Sequence, residues 1–451
     1  MHLHCSSFPN FLAALTGSRP KSKLNSKEIE GIIMKFAHIS DCHLGAWQHN
    51  EKLGELNLQA FLTAMDVCLK KQVDLVLIAG DLFNIPTPDL AIVEIAVRKM
   101  KELKDAGIEF YMILGSHDYS PNVKSISDIL SSAGFIATVM NYEEQSGRLA
   151  LNFVRDPKTG VLLAGLSGKR RGEDAEDFPK LDTHYIQREK GFKIFAFHNY
   201  LSGIAPSEIP AIPSLPVESL PKGFDYYAGG HPHKKQQYDS PHYKHVVYAG
   251  TLFGCRPLDL KMSASGERRG FYVVTAEDND VTNIEFCEVR VCEVVSPPTI
   301  DIEGMDVSRA RAKIKQHIGE MEVVDKVVLL EIKGRLSEGR PYQIHFQELE
   351  DEFVKKGAKT VLLDRRGVVG QALEGASTDR GVSQLEAEEL EKALLDFDSS
   401  LPVLKGTAGL ALAQEFLQVL SAGREEDETK TAYEKKMITL GQDMIDRWIV
   451  Q

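Results

Sequence analysis

Cysteine is scarce in this 451-residue chain, and the few present form no framework. The six stand at positions 5, 42, 68, 255, 287 and 292, with no Cys-x-x-Cys pair. That pattern excludes a disulfide-stapled secreted scaffold and suits a reducing cytoplasm. Only Cys287 and Cys292 are spaced to pair, and reduced core cysteines are the simpler expectation. No apolar run approaches the roughly 20 residues of a membrane helix. Residues 1–33 lack the basic start and apolar stretch of a signal peptide. They read as a disordered extension or an over-called start, because Met34-Lys35-Phe36 opens the first strand. Positive charge is not in excess either. The net charge of −12 argues against wholesale coating of nucleic acid but leaves room for a local basic groove. Much of that deficit is C-terminal, where residues 381–451 hold fourteen acidic and seven basic residues.

What the chain does have is five short apolar runs, each ending in residues that bind metals. Phe36–Ile39 leads to Asp41 and His43, and Leu75–Ala79 leads to Gly80-Asp81. Phe110–Leu114 leads to Gly115-Ser116-His117-Asp118. Phe192–Phe197 leads to His198, and Asp225–Ala228 leads to Gly229-Gly-His231-Pro-His233. Apolar runs of this length bounded by Gly and Asx predict buried strands. Ligands of open α/β sheets gather beyond the carboxyl ends of the strands. Residues almost two hundred positions apart are therefore expected at one sheet edge, bringing two or three carboxylates together with five histidines. Oxygen and imidazole donors suit manganese, iron or zinc and do not form a thiolate site.

Hydrophobic content of 43% and charged content of 26% are ordinary for a soluble globular chain, and the length predicts two or three domains. Between the first two strands Phe61, Leu62, Met65, Cys68 and Leu69 recur at helical spacing. After Asp81, Thr87-Pro88-Asp89 reads as a helix start, followed by Val93, Val97, Met100 and Leu103. This alternation predicts a parallel, right-handed α/β half. From about residue 160 strands dominate and predict a second sheet packed on the first. The resulting domain spans 34–296. Pro297-Pro298 opens a small α+β domain over 297–370. The Gly-rich stretch 366–384 reads as a linker, with its core at 371–384. Helices are expected at 385–396, 409–421 and 428–449.

The ordered set Asp-x-His, Gly-Asp, Gly-x-His-Asp, His and Gly-His-x-His resembles the calcineurin-like metallophosphoesterase superfamily. Ile39-Ser-Asp-Cys-His-Leu-Gly45, Ile78-Ala-Gly-Asp-Leu-Phe83, Gly115-Ser-His-Asp118 and Tyr248-Ala-Gly-Thr-Leu-Phe-Gly254 are similar to the SbcD / meiotic-recombination-eleven nucleases of double-strand-break repair. The resemblance implies an α/β two-sheet sandwich (α/β/β/α), a DNA-capping domain at 297–370 and helices at 385–451 that bind an SMC-like coiled-coil ATPase. It also implies two Mn²⁺ per chain, other divalent metals being possible, and exo- or endonuclease action on DNA. A cytoplasmic, nucleoid-associated homodimer with no membrane contact is expected.

By the same resemblance Asp81 bridges both metals, with Asp41, His43 and His233 on one and His198, His231 and Ser116 on the other. His117 would face the phosphate as proton donor, oriented by Asp118. Two residues depart from the family pattern. Ser116 stands where Asn is commoner, which bears on the second site's affinity. Asn84 stands where some relatives carry a His that serves exonuclease action. Lys234, Lys235, Lys169 and Arg170 are the candidate phosphate contacts, though charge runs are usually solvated surface. His38 reads as packed and not ligating. Tyr433, Met437, Met444 and Trp448 are candidate ATPase anchors. Leu58, Phe61, Leu62, Ile126, Ile129 and Leu130 are candidate dimer contacts that equally suit a core. The competing functions are another calcineurin-like phosphoesterase, acting on cyclic nucleotides or phosphoproteins, and a weakly active scaffold for the ATPase.

Overall fold

The computed structural model describes residues 33–370 except 121–123, 141, 146, 170–172, 174, 185 and 205–213, and then residues 390, 404, 406–420 and 430–449. Residues 1–32, the linker 371–384 and the expected helix 385–396, apart from residue 390, lie outside the described residues, as does Arg170. Two compact units are present, Met1–Val369 and Gly370–Gln451.

The first unit is built on two six-stranded sheets. In the first sheet β1 (Met34–Ile39), β2 (Leu75–Ala79), β3 (Glu109–Ile113) and β4 (Ala137–Thr138) run parallel. Strands Gly270–Glu277 and Asp280–Glu288 close it antiparallel beside β1. Helices α1 (Glu51–Lys71) and α2 (Leu90–Asp105) connect the parallel strands as the periodicity predicts. In the second sheet Leu162–Leu166, Lys193–His198, Tyr226–Gly230 and Val246–Tyr248 run parallel.

Alternation along β1 sends Phe36 towards the second sheet and Ala37 and Ile39 towards the helices. Leu75, Leu77 and Ile113 join Phe36 in the layer between the sheets, facing Ile194, Ala196 and Tyr226. His38 lies in this layer, fully buried, with Nδ1 3.0 Å from the Tyr226 hydroxyl. Burial pushes its imidazole down to about 3, so it stays neutral between the sheets. The outer face of the second sheet is covered by Phe178, Leu201, Leu220, Phe224 and Tyr243.

Two shorter helices follow α2 in the chain, α3 (Ile126–Ser132) and α4 (Pro257–Ala264). Beyond Val289 a four-stranded sheet centres on Lys326–Arg335, with α5 (Val307–Glu320) and α6 (Phe346–Lys355) packed on it. Its last strand runs Thr360–Val369, so residues 366–369, read as linker, belong to that strand, with Gly367, Val368 and Val369 paired to Lys333, Gly334 and Arg335. The valines at 368 and 369 extend the ladder past the glycine at 367. Phe61 and Leu130 are core residues and not dimer contacts, while Ile129 is 55% exposed. Cys287 and Cys292 are both free.

In the second unit, helices Gly406–Leu420 and Lys430–Ile449 are joined by an ion pair between Glu415 and Arg447. Met444 is buried, as is Leu412. Met437 and Tyr433 are half-buried, and the side chain of Trp448 lies outside those described. Among the described residues of this unit the exposed large apolar side chains are Leu417, Ile438 and Leu440.

Candidate active site

Parallel register aligns the strand ends. Ile39 pairs with Ile78 in the first sheet, and His198 pairs with Gly230 in the second. The segments leaving these ends must turn sharply, and four do so on non-glycine residues in the left-handed region: Asp41 (φ 51), His43 (φ 46), Asp81 (φ 53) and His231 (φ 90). Such strain persists where surrounding bonds enforce it and concentrates at functional sites. Here Asp41 N–H donates to the Gly80 carbonyl at 3.1 Å and His43 N–H to the Asp81 carbonyl at 3.0 Å. A side chain at Gly115 would place its Cβ 2.1 Å from Asp81 Oδ1, which explains the glycine there.

The side chains converge. His43 Nε2 is 3.2 Å from His233 Nε2 and 3.7 Å from Asp81 Oδ2. His198 Nε2 is 3.2 Å from His231 Nδ1 and 3.1 Å from Asp81 Oδ2. Asp41 Oδ1 is 4.0 Å from both His198 Nε2 and His233 Nε2. Donors about 2.1 Å from a shared cation stand roughly 3–4 Å apart, so the donors grouped around Asp81 fit divalent metal binding. Donor atoms of Asp81, His198 and His231 lie within 4.8 Å of one another, as do those of His43, Asp81 and His117.

The charges answer one another. Burial would raise the Asp81 carboxyl, yet His198, His43 and His117 hold it well below the usual range. Burial opposes charge on His198, and Asp81 and Asp41 overcome it, pushing the imidazole up to about 10. His231 is pushed down to about 3 by burial and by His198. Burial likewise opposes charge on His233, and Asp259 overcomes it and holds that ring well above its ordinary range. Without a cation these imidazoliums balance the buried carboxylates, and metal binding would displace their protons.

His117 stands exposed above this cluster, its ring edge-on to His43 with centroids 4.7 Å apart. Its orientation departs from expectation. His117 Nδ1 donates to the Asn84 carbonyl at 2.8 Å. Asp118 is buried and instead accepts the N–H groups of Leu82 (3.2 Å), Phe83 (3.1 Å) and Gly115 (3.1 Å). It therefore ties the Asp81 loop to the His117 loop and does not orient the His117 ring. Burial and the Asp81 charge push Asp118 up to about 7. Ser116 is half-buried beside Asp81, and no hydrogen bond among the described residues engages its hydroxyl.

The basic candidates separate. Lys169 pairs with Asp177 at 2.5 Å, and Lys235 pairs with Glu267 at 2.9 Å and lies over the Phe286 ring. Lys234 alone of these is exposed and outside any described ion pair. Arg269 is buried and donates to the carbonyls of His233 and Asp259.

Two neighbours escaped the sequence reading. Asp259 accepts from His233 Nδ1 at 2.9 Å, and the Tyr200 ring lies 4.4 Å from that of His231. Asp259 could have been suspected from Pro257 and Asp259 marking a helix start, but nothing in that pattern points to His233.

Residues 34–235 match the family model for calcineurin-like phosphoesterases. That span holds every strand-end ligand described above. Just under half of the chain is therefore similar to the calcineurin-like phosphoesterases. The resemblance read from its motifs is borne out by this match and by the relatives it is similar to. A DNA double-strand break repair protein Mre11 from Methanopyrus kandleri is 26% identical over 65% of this chain and 64% of its own length. The Mre11 protein of Archaeoglobus fulgidus is 24% identical over 90% of both chains. The D component of the SbcCD nuclease of Escherichia coli is 24% identical over 63% of this chain and 74% of its own length. The chain thus spans slightly under two thirds of the Methanopyrus relative.

Proposed function

We propose that this protein is a Mn²⁺-dependent DNA nuclease of double-strand-break repair, acting with two metals. The observation that carries the reading is the pairing of His43 with His233 and of His198 with His231 on either side of Asp81. Bound there, two divalent ions would supply Lewis acidity to a phosphodiester and activate a water. His117 is placed to hand a proton to the leaving oxygen, because the Asn84 carbonyl occupies its Nδ1 and leaves Nε2 free. Asp118 keeps the two loops in register so that His117 and Asp81 move together. Exposed Lys234, directly after His233, is the candidate phosphate contact.

The relatives' printed names support DNA as substrate and repair as setting. The alignment with the Archaeoglobus protein covers 90% of this chain, which favours a shared role for the C-terminal helices. We assign to those helices the docking of an SMC-like coiled-coil ATPase, through the exposed Leu417, Ile438 and Leu440 together with Tyr433 and Met437. A homodimer would use the exposed Ile129 beside Leu58 and Leu62. The 297–370 region is assigned to capping DNA over the site.

The test is cleavage of linear double-stranded DNA by the full chain with Mn²⁺, against Asp81→Asn. Wild type is expected to cut and the variant not, with its circular dichroism unchanged. Hydrolysis of a cyclic nucleotide or phosphopeptide without DNA cleavage would overturn the assignment.

A further inference from the structure

The segment Tyr248–Gly254 resembles a nuclease signature but carries no metal ligand, and the chemistry above does not use it. Its contacts show what it does. Ser40 Oγ donates to the Gly250 carbonyl at 3.2 Å, and Thr251 Oγ1 donates to the Asp41 carbonyl at 2.7 Å. Thr251 N–H donates to the His233 carbonyl at 3.3 Å. The chain then turns at Gly254 (φ 124), where a Cβ would fall 2.7 Å from Asp259 Cβ. That close approach sets α4 (Pro257–Ala264), and with it Asp259, against the His233 ring.

Asp259 Oδ2 accepts three donors: Cys255 N–H at 3.0 Å, Arg256 N–H at 3.0 Å and His233 Nδ1 at 2.9 Å. Arg256 Nη2 also lies 3.3 Å from Nδ1, but the shorter contact is to a carboxylate, which can only accept, so His233 Nδ1 carries the proton. Its Nε2 then presents a lone pair towards His43 Nε2 and Asp41 Oδ1. Arg269 closes the arrangement. Its Nη1 donates to the His233 carbonyl at 2.5 Å, Nη2 to the Asp259 carbonyl at 2.6 Å and Nε to Ser263 Oγ at 2.9 Å.

The other site histidines lack this device. His198 Nδ1 meets the Ala79 carbonyl and His117 Nδ1 the Asn84 carbonyl, both neutral acceptors. His43 Nδ1 is buried with no hydrogen-bond partner among the described residues. Alignment of the Asp41–His43–His233 group therefore depends on His233. A charged acceptor behind an imidazole also makes the ring a better ligand.

We propose that Asp259, delivered by the 248–254 turn and locked by Arg269, is a positioning residue that fixes His233 with Nδ1 protonated and Nε2 turned to the metal. The proposal rests on the metal-site reading above. It makes the 248–259 segment part of the metal centre, contributed by a stretch beyond the residues 34–235 that define the family match.

The experiment is Mn²⁺ titration of the metal-free full chain by calorimetry, comparing wild type with Asp259→Ala and Asp259→Asn, alongside thermal melts. Asp259→Ala should weaken one of two Mn²⁺ sites by about 10–100-fold and leave the other unchanged. Asp259→Asn keeps an oxygen at the Oδ2 position, so it should preserve the ring orientation and weaken the same site less. Excess Mn²⁺ should recover turnover in both. Unchanged affinities in either a folded Ala variant or, if Ala fails to fold, the Asn variant would overturn the proposal. Equal weakening of both sites with a lowered melting temperature would also overturn it, as the mark of a merely structural residue. Failure of the wild type to bind Mn²⁺ would instead remove the metal-site reading itself.

Discussion

His198 Nε2 lies 3.1 Å from Asp81 Oδ2, a contact that joins the second sheet to the first with both side chains buried. Neither sheet holds a complete site. Each supplies one partner of this pair, and the pair sits where the two groups of donors meet.

That contact makes metal binding proton-linked. Asp81 and Asp41 overcome burial and raise His198 from its ordinary 6.5 to about 10. The sign follows directly. In the metal-free protein the protonated ring adds stability that is complete below about 6.5 and is lost as pH rises through about 10. A cation at Nε2 must displace this proton. Mn²⁺ binding at pH 7.5 should therefore release at least one proton per chain, and affinity should rise about tenfold per pH unit for each proton released. Calorimetry in buffers of different ionisation enthalpy measures the number. A count of zero would show that His198 is already neutral.

His117 should act on chemistry and not on metal retention. His117→Ala should lower turnover by about 10²–10⁴-fold while the full complement of Mn²⁺ remains bound, since its Nδ1 serves only to hold the Asn84 carbonyl. Loss of a metal from the purified variant, read by elemental analysis, would place His117 among the ligands.

Asp118 should behave differently from His117 despite adjoining it. Asp118→Ala would leave the N–H groups of Leu82, Phe83 and Gly115 without their acceptor. Each unsatisfied buried group costs about 1–3 kcal/mol. A fall in melting temperature of several degrees is expected, together with lost activity. A variant as stable as wild type but slow would restore the orienting role for Asp118.

Truncation after Val369 should leave a folded protein that binds Mn²⁺ and cuts DNA. The site and its supporting sheets lie within Met1–Val369. Pull-down with an SMC-like ATPase should fail for this form and succeed for the full chain. Retained association would place the docking surface elsewhere.

The strand ends and the order of their ligands were legible in the sequence because local rules decide them. Short apolar runs bounded by Gly and Asx make strands, and a parallel sheet sends their carboxyl ends to one edge. Asp41, His43, Asp81, His198, His231 and His233 needed no more than that to be placed together. What surrounds them was not legible. Asp118 follows His117 in the chain, yet its carboxylate turns to three backbone N–H groups because a loop crossing leaves them unsatisfied there. Asp259 stands 26 residues from His233 and reaches it only because a turn without a Cβ lets α4 approach. Arg269 looks like half of a surface charge pair until tertiary packing buries it among carbonyls. Sequence periodicity reports which face of an element is buried. Which donor meets which acceptor is settled by the crossing of segments distant in the chain, and for Asp118, Asp259 and Arg269 only the tertiary structure decided it.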